Sequence, residues 1–264
     1  MQPLNYSPQN HPQKHFPQAK LAILDFDMTM ASTFTPSPRG IDVPKAYKMA
    51  IEQELGQSIL RTFNKNGGSW SDDPSSIVRK LLPNATSEEQ IVTTARIIQA
   101  KLDILLGEIG PAWPKPTAGF FNFWSSVQWA RKQGEPINTA IISSGHDSFT
   151  RKTLEVWGMP RPEEIDAYVT YDMLLAFAES APMKLIVKPS SFLIDYVCTK
   201  WGLLYGVTDI KAIQEAKKRV TFIGDDLIND GGMAKNAGVN IVHLQSGKTE
   251  QAWKTFADRL GLEV

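Results

Sequence analysis

Two aspartates one residue apart, Asp25 and Asp27, close the run KLAILDFD. Apolar and small residues lead into them, as in a buried strand that ends at a site rather than at a turn. On an extended backbone alternate side chains share a face, which sets both carboxylates on one side and Phe26 on the other. Ionised at close range they repel, so either a cation neutralises them or one keeps a proton. Phosphoryl transfer uses both outcomes. One carboxylate attacks phosphorus while Mg²⁺ screens the approaching dianion, and a second acid protonates the leaving alkoxide and later activates water. Asp25 is the expected nucleophile and Asp27 the expected general acid/base, although a solvent-facing pair at a strand end would show the same pattern.

A second acidic cluster lies in IGDDLINDGGMAKNAGV, where Asp225, Asp226 and Asp230 follow another apolar run. Carboxylate oxygens are hard ligands suited to Mg²⁺, which keeps several waters and needs few protein carboxylates beside substrate phosphate. Asp225 is the expected direct ligand, and Asp230 binds the ion or orients its waters. Together with Asp25 and Asp27 they make the expected metal set. Asp226 is equally suited to capping a helix expected over residues 228–236, whose free N–H groups would face the site.

Ser143, Ser144 and Gly145 end the run INTAIISSG with a hydroxyl and backbone N–H groups able to take phosphoryl oxygens; an ordinary turn has the same composition. Lys188, at the end of MKLIVKP, would neutralise the phosphoryl group and the crowded carboxylates, with Lys184 the competing lysine and Pro189 opening the next helix. His146 has no evident acidic partner and reads as a loop residue or a support behind the site rather than as a catalyst. His11, His15 and His243 make no metal-ligand spacing.

The elements that must position these residues alternate. Apolar runs at 20–24, 137–142, 219–224 and 239–244, and a further candidate at 183–189, are separated by helix-like stretches such as 117–133 and 248–257. That rhythm describes an α/β domain with a mainly parallel sheet, which binds ligands at the carboxyl ends of its strands. Residues 31–115 break it. Their clearest segment, SEEQIVTTARIIQAKLDILLG, begins with a possible capping box from Ser87 to Gln90 and sets Ile91, Ala95, Ile98, Leu102 and Leu105 on one helical face. Pro44 opens an earlier helix that stops before Gly56, 67–76 reads as a loop, and AWPKPTAG at 112–119 as a hinge. The expected organisation is a flexible tail over 1–19, an α/β core from 20–30 and 116–264, and an all-helical insert over 31–115.

Composition narrows the partners. Among 264 residues, 28 basic side chains balance 28 acidic ones, which leaves no field to gather nucleic acid or anionic membrane. A small phosphorylated metabolite fits that neutrality. The single cysteine, Cys198, excludes an intrachain disulfide and a thiolate cluster and reads as a packed helix residue. No apolar run reaches the roughly 18 residues of a spanning helix, and the polar first nineteen residues lack a signal-like stretch, so a cytoplasmic enzyme is expected. Trp113, Trp124 and Trp129 read as packing residues.

In order, DFDMT at 25–29, IISSG at 141–145, KP at 188–189 and GDDLIND at 224–230 resemble the four motifs of the haloacid dehalogenase-like (HAD) hydrolase superfamily. The resemblance spans about residues 20–245. It implies a Rossmann-like core, with 31–115 as a helical cap that opens for exchange and closes over substrate. It implies Asp25 as nucleophile, Asp27 as acid/base, Ser143 on phosphate with Ser144 and Gly145, Lys188 as the stabilising lysine, and Asp225 with Asp230 at the magnesium site. Thr29 would shape the first loop and belong with the phosphate-binding residues. The intervals from Ser143 to Lys188 and from Lys188 to Asp225 exceed those of compact relatives, which implies extra helices or loops. Four residues separate Asp225 from Asp230, whereas a spacing of three would select Asn229.

The superfamily also contains dehalogenases, phosphonatases and phosphomutases. Retention of Asp27 argues against a dehalogenase, since a halide needs no protonation. Phosphonatase chemistry needs a cap lysine, and Lys45, Lys48, Lys65, Lys80 and Lys101 are available by type. The expected activity is Mg²⁺-dependent phosphomonoester hydrolysis through an aspartyl-phosphate. The alternatives are a phosphomutase using the same pair and a noncatalytic phospho-ligand binder. Arg61, Asn64, Asn66 and Trp70 are candidate specificity residues.

Overall fold

The computed structural model describes residues 13–56, 59, 63, 74–180 and 188–263. The chain divides into two compact units, one from the residues up to Ser32 and from Pro116 onward, the other Thr33–Lys115.

The first unit is built on one five-stranded sheet. Its strands are β1 (Lys20–Leu24), β2 (Ile137–Ile142), β3 (Ala167–Val169), β4 (Val220–Gly224) and β5 (Asn240–His243), in the order β3-β2-β1-β4-β5 with every ladder parallel. The second unit contributes helices α1 (Val43–Leu55), α2 (Pro74–Leu81) and α3 (Ser87–Glu108). Back in the sheet unit come α4 (Phe120–Lys132), α5 (Asp147–Val156), α6 (Tyr171–Ser180), α7 (Phe192–Leu204), α8 (Ile210–Ala216), α9 (Asn229–Ala237) and α10 (Thr249–Arg259).

Both faces of the central strands are covered, so β2 and β4 are buried at every residue and are mainly apolar, with the buried Asn138 of β2 accepting from Trp201 Nε1 and the Tyr205 hydroxyl. One face of β1 sets Leu21 and Ile23 against Val197 and Trp201 of α7 and Met233 and Ala234 of α9. On the other side Phe26 meets Phe149 and Trp157, and Phe120, Phe123, Trp253 and Phe256 form a linked aromatic cluster. Packing accounts for Trp113, which is 2 % exposed, but not for Trp129, which is 56 % exposed on α4.

The register decides where the site lies. Leu24, the last residue of β1, pairs with Ile141 on one side and Ile223 on the other. The residues that follow these three adjacent strands therefore emerge at one edge: Asp25, Ser143 and Asp225.

Three expectations for this unit change. The N-terminal segment is not free up to residue 19: Gln13–Gln18 forms a 3₁₀ helix, and Phe16 lies 4.9 Å from the Trp201 ring and 5.5 Å from Tyr205. Arg219 fastens the segment by donating to the carbonyls of Phe16 and Ala19, at 2.9 Å each. One buried aromatic outweighs the polar composition around it. β3 escapes the apolar-run criterion because it is a three-residue edge strand. Pro189 does not open a helix: Lys188 and Pro189 lie in a turn, and α7 starts at Phe192, whose N–H donates to Ser190 Oγ at 3.3 Å. The candidate strand at 183–189 falls largely outside the described residues.

In the second unit, Asp42 caps α1 by accepting from Lys45 N at 2.8 Å, with Pro44 in the first turn and Gly56 (φ 81°) closing the helix. The capping box of α3 sits one residue earlier than expected. Thr86 Oγ1 accepts from Glu89 N at 3.2 Å and Glu89 accepts from Thr86 N at 2.7 Å, while Gln90 donates to Leu82 O at 2.9 Å. The buried face of α3 is Ile97, Ala100, Lys101 and Leu105, and Ile91 is 69 % exposed. The apolar residues of α3 are spread around the helix, and the core of Ala50, Ile51, Ile77 and Val78 selects only the part it covers. Residues 74–76, expected in a loop, begin α2. Arg61, Asn64, Asn66 and Trp70 lie outside the described residues. No described helix is long and apolar enough to cross a membrane.

Candidate active site

Asp25 extends β1 by one step, donating its N–H to Ile223 O at 2.9 Å. The chain then folds back. Met28 takes a left-handed conformation (φ 58°), its N–H donates to Ala31 O, and the N–H groups of Met30 and Ala31 both donate to Phe26 O. Asp25 and Asp27 therefore do not share an extended backbone, and the turn sends their carboxylates to different places.

The Asp25 carboxylate meets Asp225 and Asp230, with one oxygen of each within 4.8 Å of the others. Asp25 is 5 % and Asp230 1 % exposed, and Asp225 is half-buried. Lys188 Nζ donates to Asp25 Oδ1 at 2.5 Å and to Asp230 Oδ1 at 2.8 Å from a side chain only 7 % exposed. Asp230 can reach this place because position 224 is glycine. A Cβ there would stand 2.2 Å from Asp230 Oδ2.

Three carboxylates against one ammonium leave two negative charges in excess when all are ionised. Burial drives the Asp25 carboxyl well above its ordinary range, Asp230 and Asp225 push the same way, and Lys188 opposes them. Asp225 is pushed up to about 6, first by burial and then by Asp230. Burial works against the Lys188 ammonium, but Asp25 and Asp230 prevail and hold it above the usual lysine range. A cluster of hard oxygen donors that is two charges short fits a divalent cation, which Asp25, Asp225 and Asp230 are placed to hold.

A prediction follows for the metal-free protein. The fold favours protonated Asp225, so this group's stabilisation is complete below its unfolded value of 3.8 and is lost as pH rises through about 6. Allowing for solvent screening, the loss is about 2 kcal/mol. Urea denaturation in EDTA across that range should show the decline in the native protein and a flatter profile in Asp225→Asn. Parallel profiles would refute the assignment.

Asp27 is half-buried, and its carboxylate lies beside the loop after β2 rather than in the acidic group. A Cβ at Gly145 would stand 2.8 Å from Asp27 Oδ2 and 3.0 Å from Ser143 Oγ, so glycine is what lets the three approach. Ser143 is 2 % exposed and its Oγ accepts from Gly145 N at 2.8 Å, while Ser144 is exposed. Thr29 is fully buried. Its hydroxyl is turned to Asp225 Oδ1 at 3.4 Å, and its carbonyl accepts from Thr117 Oγ1 at 2.5 Å, so it supports the acidic loop instead of facing a phosphate.

Asp226 stands outside the group as well. Its Oδ1 accepts from the N–H groups of Ile228 and Asn229 at 2.8 and 3.0 Å, and its Oδ2 accepts from Asn229 Nδ2 at 2.7 Å. Burial opposes its charge, but the bonds from Asn229 and Ile228 hold the carboxyl below its ordinary range. Capping the start of α9 consumes both Asp226 and Asn229, which leaves Asp230 for the cluster. Lys184 lies outside the described residues.

Two contacts were not legible in the sequence. His243 Nε2 donates to the Asp225 carbonyl at 2.8 Å, a link made by the register that sets Gly224 beside His243. His146 does have an acidic partner, Asp172, whose Oδ1 lies 2.8 Å from Nδ1. The only local signal for either was a histidine next to a glycine-bearing loop or a strand end.

Known proteins share this architecture. A HAD-hydrolase-like family model matches residues 186–260. A predicted phosphoglycolate phosphatase from Haemophilus somnus 129PT is similar at TM-score 0.53 and 14 % identity, over 86 % of this chain and 85 % of that one. A protein described as a haloacid dehalogenase-like hydrolase from Bacteroides fragilis gives 0.51 and 18 %, over 89 % and 93 %. The HAD-hydrolase YfnB from Bacillus subtilis, bound to magnesium, gives 0.50 and 14 %, over 86 % and 89 %. No curated protein matches the chain significantly. With a parallel Rossmann-like sheet, a helical unit inserted after its first strand and an acidic group at the strand ends, the chain has the capped fold of the HAD-superfamily hydrolases.

Proposed function

We propose that the protein is a Mg²⁺-dependent phosphomonoester hydrolase that passes through an aspartyl-phosphate on Asp25 and acts on a small phosphorylated metabolite. The observation that carries this reading is the group of Asp25, Asp225 and Asp230, in which Lys188 bridges the buried Asp25 and Asp230, with Asp27 and Ser143 meeting at Gly145.

When bound, Mg²⁺ would neutralise the excess negative charge and screen the dianionic substrate from the carboxylates. Asp25 attacks phosphorus, forming the acyl phosphate as the bond to the leaving oxygen breaks. Asp27 gives its proton to the departing alkoxide, and as a carboxylate then takes a proton from the water that attacks the same phosphorus. Phosphate leaves and Asp25 is restored. Ser143 Oγ accepts from Gly145 N, which leaves its O–H to donate to a phosphoryl oxygen, and Lys188 neutralises the group in flight. The fully buried Thr29 and the capping Asp226 have no part in these steps.

The test is phosphate release from a panel of small phosphomonoesters. It should require Mg²⁺, stop with EDTA and resume when Mg²⁺ is restored. Turnover that survives chelation would defeat the reading, and isomerisation of a sugar bisphosphate without free phosphate would replace it with a mutase.

A further inference from the structure

The segment that follows β3 runs alongside the loop that follows β2. Ser143 N donates to Val169 O at 2.9 Å and Tyr171 N to Gly145 O at 3.0 Å, so the parallel ladder continues past the end of the sheet. Asp172 then places one carboxylate oxygen 2.8 Å from His146 Nδ1, and its other oxygen accepts from Asp147 N at 2.6 Å. Because a carboxylate faces it, Nδ1 carries a proton.

His146 is 2 % exposed, and its ring lies 5.4 Å from that of Tyr171 in an edge-on arrangement. It stands at the N-cap position of α5 and makes no side-chain capping bond, so Asp172 caps that helix from a different element. One carboxylate thus ties down the two residues after Gly145, His146 through its ring and Asp147 through its backbone N–H. The tolerance of this loop is small: with Asp27 Oδ2 and Ser143 Oγ about where a Cβ of residue 145 would collide, a shift of a few tenths of an ångström changes the spacing between acid and hydroxyl.

We infer that Asp172 and His146 are positioning residues for the loop Ser143–Gly145, holding it so that the Ser143 hydroxyl meets a phosphoryl group in register. The inference rests on the phosphatase reading and adds to it a pair that touches neither metal nor substrate.

The test uses the full chain and two separate titrations, inorganic phosphate in the presence of Mg²⁺ and Mg²⁺ alone. Asp172→Asn and His146→Leu should weaken phosphate binding about tenfold, the worth of one charge-assisted hydrogen bond, with Mg²⁺ affinity unchanged. His146→Asn, whose amide N–H₂ falls near the place of Nδ1, should recover most of the loss, and it decides the matter together with Asp172→Asn if the leucine variant does not fold. Wild-type phosphate affinity in the variants overturns the inference. So does an equal loss of phosphate and Mg²⁺, which marks general structural damage. Native protein that binds Mg²⁺ but no phosphate would sink the phosphatase reading itself, a result distinct from either.

Discussion

Asparagine at position 25 is expected to abolish turnover and, at the same time, to make the metal-free protein more stable. The amide keeps the shape of the carboxylate and can still accept from Lys188 Nζ, so the turn after β1 and the ladder bond to Ile223 remain. Without a carboxylate no acyl phosphate forms, and the rate should fall on the order of 10⁴-fold or more. The stability change has the opposite sign. Burial and the neighbouring Asp230 and Asp225 hold the Asp25 carboxyl well above its ordinary range, which means that ionising it at neutral pH costs folding free energy. Removing the charge removes that cost, as is common where a functional group is held in an unfavourable setting. Thermal melting in EDTA should show a higher midpoint for Asp25→Asn than for the native protein, alongside phosphate release at background. Residual turnover near the native rate would exclude Asp25 as nucleophile.

Lys188→Met should act in the other direction on stability. The lysine is the ammonium that bridges Asp25 and Asp230, and it is buried with them. Methionine leaves these carboxylates facing each other with Asp225 nearby, and breaking a buried ion pair by removing one partner costs about 3–5 kcal/mol. Part of the penalty is relieved when the carboxylates take up protons, so the variant should be least stable at high pH. A divalent cation restores positive charge to the same place, and Mg²⁺ should therefore raise the melting midpoint of Lys188→Met more than that of the native protein. Turnover should fall on the order of 10²–10³-fold even at saturating Mg²⁺, because a charge aimed at the transferring group is gone. A variant as stable as the native protein in EDTA would show that the carboxylates are not held as a charged group.

Much of the site was legible because its chemistry sits at the ends of central strands. Strands buried on both faces are mainly apolar and carry no charge within them, so the polar residues at which such runs stop stand out, and Asp25, Ser143 and Asp225 are those residues. The periodicity of α3 was less informative. Its apolar residues occupy more than one face, and neighbours that cannot be seen in the segment itself choose which part is buried.

The sequence by itself determined the parallel α/β order, the helical insert and the acidic character of the strand ends, since each follows from composition and spacing within a short stretch. Only the tertiary structure decided which groups meet. Lys188 reaches Asp25 across 163 residues of chain, and Asp225 and Asp230 join it because the register sets β4 beside β1. The fold-back at Met28 parts Asp27 from Asp25, and Asp226 is spent on the start of α9. Residue type states what a side chain can do. Its partner depends on backbone direction and on distant packing, and neither is carried in the local pattern.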